Sequence, residues 1–92
     1  MALPSEINLS LVTPMALEFH GPATSIVAPG TEGYLGVLPG HIPLVTSLRA
    51  GTLTVVSGGR RLNFEIGAGY MEVTPASVIV ITEEVKPKNG DD

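Results

Sequence analysis

Ninety-two residues, 43% of them hydrophobic, with eleven glycines and eight prolines, suffice for one domain around one core but not for two. Two Phe, two Tyr and no Trp make that core aliphatic, and the lack of cysteine excludes a disulfide framework and a thiolate zinc site. A net charge of -4, half of it from Glu83, Glu84, Asp91 and Asp92 against Lys86 and Lys88 in the last ten residues, argues against a nucleic-acid partner.

Met1 to Glu6 lacks a basic stretch followed by an apolar run, so neither a signal peptide nor a membrane anchor is expected. Ile7, Leu9 and Leu11 then alternate with Asn8 and Ser10, the period of a strand with one buried face. Pro14 ends it. Residues 16–20 read as a second strand closing a hairpin, with Gly21-Pro22 as the next turn. Residues 25–28 lead into two Pro-Gly pairs, Ala28-Pro29-Gly30-Thr31 and Leu38-Pro39-Gly40-His41, each with the pattern of a type II turn. Between them residues 34–38 suit a short strand, and Pro43 denies a helix before the strand at 44–48.

Residues 52–57 and 61–66 form a predicted hairpin across Gly58-Gly59, with Leu62, Phe64 and Ile66 on one face. In residues 70–74, Met71 and Val73 point inward and Tyr70 and Glu72 outward. Residues 77–82 are apolar on both faces through Val78, Ile79, Val80 and Ile81, which predicts the most buried strand. The expectation is an all-β, flattened sandwich or barrel of about nine to ten short strands over residues 1–84, followed by a disordered polar tail, 85–92.

Catalysis is poorly served. His20 and His41 lie in separate turns without a metal-ligand spacing, and the glycines at 30, 33 and 36 are not followed by the helix or the Lys-Ser/Thr that a phosphate loop needs. No cofactor or metal is expected. One reading of a small β-domain without catalytic residues is a binding module of carbohydrate- or cupin-like type, which needs a concave face lined with aromatics. Four aromatic residues give it little support.

One block is far more specific than these patterns. Pro29-Gly30-Thr31-Glu32-Gly33-Tyr34-Leu35-Gly36-Val37-Leu38-Pro39-Gly40-His41-Ile42-Pro43-Leu44-Val45-Thr46-Ser47-Leu48 resembles the block of the amino-terminal domain of F-type ATP synthase epsilon subunits. The resemblance extends to Leu11-Val12-Thr13-Pro14, Phe19-His20-Gly21, Arg49-Ala50-Gly51 and Gly67-Ala68-Gly69-Tyr70-Met71-Glu72-Val73, over roughly residues 6 to 84. It implies a β-sandwich of about ten strands acting as a non-catalytic rotor subunit in the central stalk. The implied partners are the gamma subunit and the membrane c ring, with contact to the membrane only through the complex. The implied location is peripheral, on the cytoplasmic face of the inner (plasma) membrane.

The resemblance also assigns residues. Thr13, His41 and Thr46 match positions that face gamma, and the loop with Glu32, Tyr34 and Leu35 matches the loop that touches the c ring. Here the sequence departs from the family, which commonly has an acid at the position of Tyr34. Either Glu32 keeps part of that charge, or Tyr34 replaces it by stacking and hydroxyl bonding. The family's carboxy-terminal helical hairpin has no counterpart before Asp92, so the chain reads as a naturally short form to which neither helical inhibition nor an ATP site transfers.

Overall fold

A computed structural model describes residues 5–88 as ten strands: β1 Ile7–Val12, β2 Leu17–Ala23, β3 Ser25–Gly30, β4 Gly33–Val37, β5 Leu44–Leu48, β6 Gly51–Ser57, β7 Arg60–Ile66, β8 Gly69–Val73, β9 Ser77–Thr82 and β10 Val85–Pro87. Hydrogen-bonded neighbours run β10-β7-β6-β3-β5-β8-β9-β1-β2, with β4 on the other side of β3. The ladder nearly parts at one place, where β3 meets β5 through the single pair Gly30 and Leu48. Two layers result, β4-β3-β6-β7-β10 and β5-β8-β9-β1-β2. On the far side they are tied by the Thr24 amide donating to the Val56 carbonyl at 2.8 Å and by the Ser57 hydroxyl donating to the Pro22 carbonyl.

Alternation builds the core. Ile7, Leu9 and Leu11 of β1, Met71 and Val73 of β8, and Val78 and Val80 of β9 are fully buried against Ile26, Leu53 and Val55 of the other layer. Phe19 and Phe64 meet between the layers with ring centroids 5.7 Å apart, a tilted pair suited to their quadrupoles. All pairings are antiparallel except β1 with β9, which run side by side in the same direction from Asn8 and Ser77 to Val12 and Ile81.

The all-β sandwich expected from the sequence is present, with four local corrections. Gly21 and Pro22 are not a turn but part of β2, paired with Leu9 and Asn8. Because β2 lies at the end of the strand order, Pro22 sits in an edge strand, where its missing amide is tolerated. The first Pro-Gly pair does not turn either. Pro29 and Gly30 finish β3, and the chain reverses one step later around Thr31-Glu32, with Gly33 at φ 131°, a conformation that favours glycine. The second pair does turn: Gly40 has φ 85°, and the His41 amide donates to the Leu38 carbonyl at 3.1 Å.

The third correction concerns β9. It is central, but Ile79 and Ile81 are exposed rather than covered. The fourth concerns the tail. Instead of being disordered from residue 85, Val85, Lys86 and Pro87 pair with Ile66, Glu65 and Phe64 of β7, and Val85 packs on the core. Residues 89–92 of the expected tail lie outside the described residues.

Candidate functional site

The two layers differ on their outer faces. On β6 and β7 two outward pairs are polar and bonded, the Thr54 hydroxyl donating to Asn63 Oδ1 at 2.8 Å and the Thr52 hydroxyl to Glu65 Oε2 at 2.7 Å. Lys88 adds an ion pair to Glu65 at 3.3 Å. The Thr52 hydroxyl first, and then the Lys88 ammonium, hold the Glu65 carboxyl below its ordinary value.

The outer face of the second layer carries an apolar stripe bordered by polar residues. The pairing register lines up Ser47, Tyr70, Ile81, Val12 and Leu17 across β5, β8, β9, β1 and β2, and beside them Val45, Glu72, Ile79, Ser10 and His20. Tyr70 is 63% exposed, Ile81 53%, Leu17 60% and Val45 69%, so this stripe of large side chains lies open across four strands of the layer. At its margin Val12, Pro14, Gly69, Tyr70, Ile81 and Glu83 border a groove of about 400 Å³. None of the five Lys and Arg residues occupies these two rows, whereas Glu72 stands in one of them and Glu83 at the groove.

The three gamma-facing candidates fall in different environments. Thr13 is only 7% exposed, and its hydroxyl is occupied in the turn between β1 and β2, donating to Glu18 Oε2 at 2.9 Å and accepting from the amides of Met15 and Ala16. It does, however, flank the groove. Thr46 pairs with buried Met71 and shares the inward side of β5 with Leu44 and Leu48, which leaves its neighbour Val45 facing out. His41 stands in the turn between β4 and β5, flanked by exposed Leu38 and Ile42. Its Nδ1 is 2.7 Å from the Ile42 carbonyl, an acceptor only, so Nδ1 carries the hydrogen and Nε2 is left for another partner.

The loop candidates lie at the other end of β4 from His41. Glu32 and Tyr34 are exposed and Leu35 is half-buried against the core. Tyr34 folds back: its hydroxyl accepts from the Thr52 amide at 3.3 Å, and the Arg49 guanidinium lies 5.1 Å from its ring centroid. Among the described residues no cluster of three or more His, Cys, Asp and Glu could hold a metal ion, and no helix is long and apolar enough to cross a membrane.

Sequence reasoning missed the stripe because an unbroken apolar strand looks the same whether its second face meets protein within the fold or outside it. The cue lay in β1 and β8, where the residues opposite Ile79 and Ile81 include Ser10, Glu72 and Tyr70, side chains that do not build a second core.

Residues 6–88 match the family described as ATP synthase, Delta/Epsilon chain, beta-sandwich domain. The ATP synthase epsilon chain of Desulforamulus reducens is 41% identical over 76 residues, which is 83% of this chain and 58% of that relative. That of Chlorobium limicola is 37% identical over 79 residues, 85% of this chain and 90% of the relative. A chain in the cryo-EM structure of the Euglena gracilis mitochondrial ATP synthase, OSCP/F1/c-ring, superposes with a TM-score of 0.88 at 30% identity over 95% of this chain and 56% of that one. A chain of the Tetrahymena thermophila mitochondrial ATP synthase central stalk and c ring shares the fold at a TM-score of 0.76 and 13% identity, over 92% of this chain and 69% of that one. The chain thus spans less than two thirds of the length of the Desulforamulus reducens and Euglena gracilis chains, but nine tenths of the Chlorobium limicola one.

Proposed function

The chain belongs to the delta/epsilon β-sandwich family of ATP synthases, and from that premise we propose that it is a non-catalytic rotor subunit of an F-type ATP synthase. It joins the gamma subunit to the membrane c ring, so that ion flow, of protons or sodium ions, is coupled to ATP synthesis. Its place is peripheral, at the cytoplasmic face of the inner (plasma) membrane, and it meets the bilayer only through the complex.

The observation that carries this reading is the open apolar stripe of Tyr70, Ile81, Val12 and Leu17. Exposed large side chains contiguous across several strands mark an interface, and a stable one covers about 800 Å² on each partner. Gamma docks on this face. Acidic residues at its margin, with no cation among them, suit a partner surface that is apolar at its centre and basic at its rim. His41 extends the contact with its free Nε2, while Thr13 and Thr46 act from behind it, one fixing the turn beside the groove and the other seating β5 so that Val45 faces gamma. The binding-module alternative lacks a supporting feature: Phe19 and Phe64 stack with each other between the layers, and Tyr34 and Tyr70 lie on different layers.

Co-expression with gamma from the same genome tests this, read by co-elution on size exclusion. Ile81→Asp places a charge in the stripe without touching the core and is expected to weaken the complex at least about tenfold, since an unpaired interfacial charge is costly to desolvate. Arg61→Glu, on the polar outer face, is the control and leaves binding within about twofold, as expected for a site off the interface. Equal binding of both variants sinks the assignment of this face, and failure of the unaltered chain to bind gamma sinks the rotor reading.

A further inference from the structure

We propose that Arg49, held against the Tyr34 ring, is the group through which the loop corner grips the c ring, and that what it grips is a carboxylate on that ring's polar loop. The inference rests on the c-ring half of the function proposed above and adds the chemistry of the contact.

The corner is assembled with unusual care for an exposed loop. The Arg49 amide donates to the Pro29 carbonyl at 2.9 Å, the Thr31 amide donates to the Ser47 carbonyl at 3.2 Å, and the Thr31 and Ser47 hydroxyls lie 3.0 Å apart. These bonds lock the turn after β3 to the turn after β5. Tyr34 is fixed at its far end by the Thr52 amide, and it fits because position 51 is glycine: a Cβ there would come within 3.0 Å of the Tyr34 hydroxyl and 2.9 Å of Pro29 Cβ. The ring is thereby a rigid shelf. The Arg49 guanidinium lies over it at 5.1 Å and spends one weak bond on the Ala50 carbonyl at 3.3 Å.

Arg49 has no carboxylate partner among the described residues, and Glu32 at the neighbouring turn forms no ion pair with it. Four of its five N–H donors are therefore available in one plane, and stacking has already removed much of the rotamer freedom that an exposed arginine loses on binding. A planar, pre-oriented fork of donors selects a carboxylate, which accepts two parallel bonds from it. The acid that the family resemblance leads one to expect at position 34 is thus replaced by the support for a base, and the sign of the contact is reversed.

The test uses the chain bound to gamma and a detergent-solubilised c ring from the same genome, with the dissociation constant measured by interferometry at several salt concentrations. Arg49→Gln is expected to weaken c-ring binding at least about tenfold and to flatten its salt dependence, as loss of a charge-assisted pair does. Arg49→Lys keeps the charge but not the planar fork, and Tyr34→Leu removes the shelf; each is expected to cost about fivefold, whereas Tyr34→Phe keeps the ring and loses only its anchor on the Thr52 amide, and is expected to cost less than Tyr34→Leu. Gamma binding and melting temperature of each variant establish that the fold persists. If the unaltered chain binds the c ring and Arg49→Gln binds equally well, the Arg49 assignment falls alone. If the unaltered chain binds gamma but not the c ring, the c-ring part of the rotor reading falls with it.

Discussion

Single atoms decide two positions in this chain. A Cβ on Gly69 would overlap the Ile81 carbonyl and lie 2.8 Å from Thr82 Cα, both backbone of the neighbouring strand. No side-chain movement relieves that. Gly69→Ala is therefore expected to cost more than about 3 kcal/mol, the upper range for overpacking, because β8 must separate from β9; urea melts of the purified variant measure it. At Glu65 the expectation concerns pH. Its folded carboxyl titrates below the unfolded value because Thr52 donates to it and Lys88 faces it, so its contribution is full above the unfolded pKa of about 4.3 and is lost as pH falls through the lower folded value. The melting-temperature gap between the unaltered chain and Glu65→Gln should be present at pH 7 and close in that acidic window; a gap that widens on acidification contradicts this. Residue chemistry was partly legible in sequence. Gly40 announced its turn through Pro39, but the same dipeptide at Pro29-Gly30 continues a strand, because the Pro29 carbonyl is claimed by the Arg49 amide and Gly30 by Leu48, partners far along the chain.

Strands are where sequence and structure agree best, and their edges are where they part. Period-2 alternation located β1, β7 and β8, in which alternate side chains pack on the core, while Pro43 and the Gly58-Gly59 turn marked off β5 and β6. It could not locate β10, whose three residues carry one apolar side chain and acquire strand geometry only by pairing with β7. A chain ending after Glu84 loses that ladder, the packing of Val85 and the Lys88–Glu65 pair. Its melting temperature should fall by several degrees, corresponding to about 1–2 kcal/mol in a domain of this size, whereas a passive tail would leave it unchanged. In β9 alternation could not tell the two faces apart, because Val78, Ile79, Val80 and Ile81 are all apolar, and whether its outer face is covered depends on a partner rather than on the chain itself. The site was least legible for that reason. The gamma-facing candidates were inferred from family positions, whereas the stripe beside them exists only once β8, β9, β1 and β2 are aligned in register.

At the scale of the molecule, the layers share one core, so unfolding should be a single cooperative step, with circular dichroism and calorimetry giving the same midpoint. Leu9→Ala, in a fully buried position of β1, should lower stability by about 2–5 kcal/mol. Refolding should take about milliseconds to seconds, since β1 finds β9 only after nearly the whole intervening chain is placed; microsecond folding would contradict the topology. The β1–β9 pair has a further consequence. Its strands point the same way and adjoin over five residue pairs, from Asn8 and Ser77 to Val12 and Ile81, directly beneath the face assigned to gamma. A pull on one strand against the other, along their common axis, strains the cross-links of the whole ladder together instead of opening them one after another from an end. The arrangement behaves as a lap joint rather than a zipper, so the shaft that the proposed rotor role would fasten to this outer surface would meet the molecule at the place where its backbone yields last.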